Sequence, residues 1–111
     1  MKTVSRPFGE AVVAKTHPPI YLMHKYWARK PHNVVSRYIE YYTDPGDVVL
    51  DPFMGSGVTV VEAAGLGRNA IGNDLNPIAA FLTEMTLIRV DEQELSRAST
   101  CTVASRGTKR R

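Results

Sequence analysis

Cysteine is nearly absent. Cys101 stands alone in a chain of 111 residues, which excludes an internal disulfide framework and a multi-cysteine zinc site. No apolar run approaches the ~18–20 residues of a membrane-spanning helix. The start, Met1 to Pro7, has no apolar stretch after its charges, so it does not read as a secretory signal. Together these absences point to a cytoplasmic protein. The length is that of one small domain, able to bury only about two-thirds of its unfolded surface. What is present is unevenly charged. Residues 1–44 carry seven Lys/Arg against three Asp/Glu, residues 45–95 two against eight, and residues 96–111 five against none. A basic flank fits either a solvated surface or a neighbouring nucleic acid, while the acidic centre asks for a ligand of its own.

Along the chain, Pro7, Pro18 and Pro19 break regular structure, so residues 1–22 read as an arm that packs on the surface. From Pro31 to Tyr42, the residues Val34, Val35, Tyr38, Ile39 and Tyr42 recur at helical spacing on one face. Thr43 to Asp47 forms a turn, and Val48-Val49-Leu50 reads as a short strand buried on both faces. Val58 to Leu66 is a small-residue helix that offers Val60, Val61 and Ala64 to a sheet and stops at Gly67. Residues 69–73 give a second strand. Asn76-Pro77 is a helix start, and the helix to about Thr86 is expected to bury Ile78, Phe81, Leu82 and Met85. Leu87 to Val90 offers a weak third strand. Strand, Gly-rich loop, helix, strand, helix is the beginning of a parallel α/β sheet, whose ligands bind at the carboxyl ends of the strands. With two clear strands, that sheet is expected to be incomplete. Residues 96–111 lack apolar periodicity and are expected to be a disordered basic tail. The division is therefore an arm (1–22), an α/β domain (23–95) and a tail (96–111).

Two carboxylates, Asp51 and Asp74, end the two expected strands, with Gly55-Ser56-Gly57 between them. Glycines allow a ligand close to the backbone, and an acid about 20 residues on accepts hydrogen bonds from ribose hydroxyls. The third glycine of a dinucleotide fingerprint is missing, and no Lys-Ser/Thr follows to grip a phosphate. An acidic loop opposes a pyrophosphate but suits a cation. S-adenosylmethionine carries a sulfonium and an ammonium, so Asp51 would attract those charges and Asp74 would hold the ribose. Taken singly, each aspartate could equally cap a turn or end a strand.

The string Gly46-Asp47-Val48-Val49-Leu50-Asp51-Pro52-Phe53-Met54-Gly55-Ser56-Gly57 resembles the cofactor motif of DNA N6-adenine and N4-cytosine methyltransferases, with Val58 where that family usually has Thr. Gly67 to Pro77 is similar to the family's following strand and acidic ribose-binding motif. Upstream, His24 with Lys30-Pro31 resembles its N-terminal cofactor-site element, though five residues intervene where three are usual. The resemblance covers roughly residues 20–95 and implies a Rossmann-like methyltransferase sheet of seven strands. It also implies that Asp51, Pro52, Phe53, Gly55 and Gly57, with His24, line the methionine end of the cofactor. Asp74 would then take the ribose hydroxyls, and Leu75 would lie against adenine.

Catalysis in that family uses an Asp/Asn/Ser-Pro-Pro-aromatic loop that holds the exocyclic amine of a flipped base against the methyl group. The single Pro-Pro pair here, in His17-Pro18-Pro19-Ile20, has the wrong neighbours and precedes the cofactor motif, so no catalytic residue is assigned. The chain thus reads as the cofactor-binding part of a DNA amino-methyltransferase, inactive alone. Its catalytic half would be lost to a frameshift or premature end near Leu95, or carried by a second chain. Two alternatives stay open: a non-catalytic cofactor- or partner-binding module, and a fragment of an RNA guanine-N2 methyltransferase. Tyr26, Trp27, Arg29 and Lys30 read either as packing beside the cofactor cleft or as a nucleic-acid surface.

Overall fold

The structure is a computed structural model and describes residues 2–98. After a 3-10 turn at Pro19–Tyr21, the elements run α1 (His32–Tyr42), β1 (Val48–Asp51), α2 (Val58–Gly65), β2 (Asn69–Gly72) and α3 (Pro77–Leu87). Residues 92–98 are also helical, so the segment expected to be disordered begins inside a helix; residues 99–111 of that segment lie outside the described residues. Leu87 ends α3 and no strand forms over residues 88–90, so the third strand is not found among the described residues.

The two strands pair in parallel, Val48 with Asn69 through Asp51 with Gly72. The loop and helix between them make the βαβ unit expected of a parallel sheet. α2 packs across both strands and touches α1 and α3. Its end is a Schellman motif: Gly67 N–H donates to Ala64 and Arg68 N–H to Ala63. Arg68 then ties this end to that of α1, donating to Thr43 Oγ1 at 3.0 Å and to the Thr43 carbonyl at 2.9 Å. α3 starts as its sequence demands, with Pro77 in the first turn and the Asn76 side chain accepting from Ile78 N–H at 3.0 Å.

The core is small: Tyr21, Ile39, Val58, Val60, Ala63 and Ala79 are its buried apolar residues. Beside it the part-buried Glu62 of α2 accepts from the Tyr21 hydroxyl at 2.5 Å and from Ser36 of α1. The first residues pack along α1: the Phe8 ring lies 4.6 Å from that of Tyr38 and 5.2 Å from that of Tyr41, and Phe8 N–H donates to the Tyr42 hydroxyl.

Three burial expectations are corrected. β1 is covered on one face only, with Val48 and Leu50 exposed beside Ile71 of β2. α2 buries Val58, Val60 and Ala63, whereas Val61 is part-buried and Ala64 exposed. α3 buries Ala79 and Thr83, while Ile78 is 61% and Phe81 57% exposed, with Met85 exposed as well. The cause is the close approach of α3 to the Gly57 backbone, which selects the small residues at i and i+4 for the contact. A helix apolar on several faces does not announce which of them will be covered.

Candidate cofactor site at the strand ends

β1 delivers Asp51 to the carboxyl edge of the sheet, and the chain then closes a tight loop over β2. Asn73 N–H donates to the Asp51 carbonyl at 2.9 Å, and the Asn73 carbonyl accepts from Met54 N–H at 3.0 Å. Two loops with no regular pairing are thereby locked together. Asp74 completes the link. One carboxylate oxygen accepts from Gly55 N–H at 2.9 Å and the other from Asn76 N–H at 2.8 Å. Each oxygen has room for a further donor, and Asp74 is only part-buried. Phe53 and Leu75, on the loops that Asp74 joins, are both largely exposed. The ribose-binding candidate thus has one uncovered apolar residue beside it in the chain, Leu75, and another, Phe53, on the loop it bonds.

Gly57 lies against Thr83 of α3. Its φ is +76°, and a Cβ there would collide with Thr83, so the glycine serves the close packing of α3. Gly55, at φ +53°, has the Tyr26 ring beside it, 3.2 Å from where a Cβ would stand. Pro52 is exposed, and its carbonyl accepts from the Asn73 side chain at 3.3 Å.

Asp51, expected to attract the positive charges of a ligand, lies at the carboxyl end of β1. It is 6% exposed. One oxygen accepts from Phe53 N–H at 3.1 Å, and the other meets Lys30 Nζ at 3.0 Å. Burial pushes the Asp51 carboxyl up, but hydrogen bonds from Thr59, Lys30 and Phe53 N–H, with the Lys30 charge, outweigh it and hold the group below its ordinary value. Asp51 is therefore an ionised buried acid with its partner in place.

Lys30 belongs to a segment laid over the glycine loop. Tyr26 faces Gly55, Arg29 Nε donates to Ser56 Oγ at 3.3 Å, and Lys30 takes Asp51. Arg29 also holds the Tyr21 carbonyl and, at 3.0 Å, that of His24. His24 reaches the loop through Arg29, and its Nε2 is buried without a hydrogen-bond partner among the described residues. Of this segment, Tyr26 and Arg29 touch the glycine loop and Lys30 meets Asp51, whereas Trp27 is exposed. The Lys30-Pro31 string was the signal for the lysine. Nothing local in sequence marks Thr83 as the residue that Gly57 accommodates.

No group of three or more His, Cys, Asp or Glu residues among those described is arranged to hold a metal ion. No helix of the described residues is long and apolar enough to cross a membrane.

Residues 8–83 match the DNA methylase family. Type II methyltransferase M.MjaII of Methanocaldococcus jannaschii is 33% identical over 75 residues, 68% of this chain and 14% of its own length. Type II methyltransferase M1.MboII of Moraxella bovis is 51% identical over 47 residues, 42% of this chain and 18% of its own length. The crystal structure of the M1.HpyAVI–SAM complex superposes with a TM-score of 0.55 at 34% identity, over 59% of this chain and 32% of that one. PvuII DNA methyltransferase (cytosine-N4-specific) shares the fold, with a TM-score of 0.57 at 22% identity over 71% of this chain and 29% of its own. The chain spans less than a third of the length of each of these relatives. The sheet is accordingly part of a Rossmann-like methyltransferase fold, and the chain belongs to the DNA N6-adenine/N4-cytosine methyltransferase family.

Proposed function

We propose that these residues form the S-adenosylmethionine-binding part of a DNA methyltransferase acting on the exocyclic amino group of adenine or cytosine. The observation that carries this reading is the Asp74 carboxylate, fixed by Gly55 N–H and Asn76 N–H yet open to further donors, on two joined loops that also leave Phe53 and Leu75 exposed. A ribose diol supplies two donors to such a carboxylate, and exposed apolar side chains suit a purine and a methionine chain. His24, tied to the glycine loop through Arg29, would flank the methionine end. There, the Asp51–Lys30 pair presents both signs of charge, complementary to an ammonium and a carboxylate on one ligand. M1.HpyAVI, solved as a complex with SAM, lends this assignment support.

When bound, the cofactor supplies the reactive methyl group. The residues present hold and orient it: Asp74 the ribose, Leu75 the adenine, and Phe53, Gly55 and the Asp51–Lys30 pair the amino-acid end. Gly57 and Pro52 shape the loop from behind. Among the 111 residues no Asp/Asn/Ser-Pro-Pro-aromatic sequence occurs, so the chain alone binds cofactor without transferring its methyl to DNA. A second reading, a binding module completed by another polypeptide segment, is favoured by the exposed apolar faces of the sheet and of α3. That segment would cover these faces and carry the catalytic loop.

Calorimetry with S-adenosylmethionine, followed by a methyl-transfer assay on DNA, tests both parts. Binding without transfer is expected. Transfer by this chain alone would overturn the assignment of the missing loop, and no binding by folded protein would overturn the cofactor site.

A further inference from the structure

We propose that the loop carrying Trp27 is a DNA-contact surface, which holds an unstacked base of the strand brought to the cofactor site. The inference rests on the reading above and adds a place for the nucleic acid.

Trp27 is 93% exposed, although an indole is among the side chains that gain most from burial. It lies at the rim of a cup of about 330 Å³ lined by Leu22, His24, Lys25, Tyr26, Trp27 and Arg29. Next to it Ala28 takes φ +56°, a left-handed conformation that costs a non-glycine residue free energy. The chain thus tolerates local strain where it leaves an aromatic ring uncovered. The charge along this stretch of chain has one sign. From residue 11 to residue 39 there is no Asp or Glu, against five Lys/Arg. Lys25 pairs with no acid among the described residues, while Arg29 and Lys30 are anchored to the glycine loop. An exposed π-face beside an unpaired cation on a carboxylate-free segment is the pairing that stacks a base and holds its phosphate.

Position supports the same occupant. Tyr26 packs on Gly55 and Arg29 reaches Ser56, so the loop lies against the strand ends where the cofactor is placed. A base presented for methylation has to leave its stack to reach that point, which opens the strand beside it. A protein partner would find few acceptors for its own cations here, because the segment offers no carboxylates.

Trp27 is the sole tryptophan, so its emission reports on this loop directly. In the full chain, a short single-stranded oligonucleotide should quench that emission. Trp27→Ala should weaken oligonucleotide binding about tenfold by anisotropy, with Trp27→Phe intermediate. Lys25→Ala should lower the salt dependence by about one counterion. S-adenosylmethionine binding, measured by calorimetry, should be unchanged in all three. If the cofactor binds but the oligonucleotide leaves the emission unaltered, or Trp27→Ala binds DNA as well as the parent, this proposal falls while the cofactor reading stands. If the emission instead shifts to the blue as the chain is concentrated, the loop is a protein contact and the proposal is wrong. If folded protein binds neither ligand, both readings fall.

Discussion

Lys30 Nζ lies 3.0 Å from Asp51 Oδ2, joining the segment before α1 to the end of β1. The acid is buried and the amine half exposed, so the pair is less screened than a surface bridge. The Asp51 carboxyl is held below its ordinary value, and the consequence for stability has a definite sign. Its contribution is present above the unfolded-state value near 4 and is lost as pH falls through the lower folded value. Lys30→Met removes one stabilising partner but leaves the burial that opposes ionisation. The carboxyl should then titrate higher, and acid unfolding followed by circular dichroism should move to higher pH. An unchanged acid midpoint would show that Lys30 contributes nothing to holding Asp51 ionised.

Tyr21 and Glu62 make the second such link, within the core. Burial, reinforced by the Glu62 carboxylate, pushes the Tyr21 phenol far above its usual range, so it stays a donor at every working pH. Tyr21→Phe keeps the ring and removes the donor. Ser36 still donates to Glu62, so the loss should be about 1–3 kcal/mol, read as a lowered denaturation midpoint.

Gly57 and Gly67 separate two costs of the same backbone conformation. Both have φ near +76°, at 76° and 75°, but a Cβ meets Thr83 at the first and nothing within 4 Å at the second. Gly67→Ala should cost about 1–2 kcal/mol from backbone strain alone. Gly57→Ala should cost a further ~1–3 kcal/mol of overpacking, and Thr83→Ala should recover part of that excess. Equal costs at the two positions in chemical denaturation would contradict the packing role given to Gly57.

How much of this was legible in the sequence depends on the range of the interaction. Asn76-Pro77, Gly67 and the alternation of strand and helix act within a few residues, and each element appears within a residue or two of where those signals put it. Asp51, Gly55 and Asp74 were legible as a set because β1 and β2 pair side by side, carrying one motif's acid to the next motif's loop. Burial was legible only in part: Val60, offered to the sheet, is buried, but Val61 and Ala64 are not. Which face of α3 is covered was decided by Gly57 and Thr83, more than twenty residues apart in sequence, and the strand expected to be covered twice has one bare face. Lys30 was visible as part of a motif, but its ion pair with Asp51 depends on how the segment crosses the glycine loop.

Those bare faces carry their own expectation. Val48, Leu50 and Ile71 on the sheet, and Ile78 and Phe81 on α3, are exposed apolar groups. The isolated chain should be marginally stable and self-associate. Sedimentation should show a concentration-dependent mass, and Phe81→Glu should shift it towards monomer at little cost in helix content. A sharp, high-temperature melt of a monomer would contradict this.

Cofactor binding at Asp74 remains the centre of the account, and titrating S-adenosylmethionine into the folded chain and into Asp74→Ala by calorimetry tests it most directly. The predicted result is one site in the parent protein and a loss of at least about tenfold in affinity for the variant, as expected when a buried charge-assisted hydrogen bond is removed, with the circular dichroism of the two proteins alike. Equal affinity in the two, or no heat of binding from a folded parent, would contradict it.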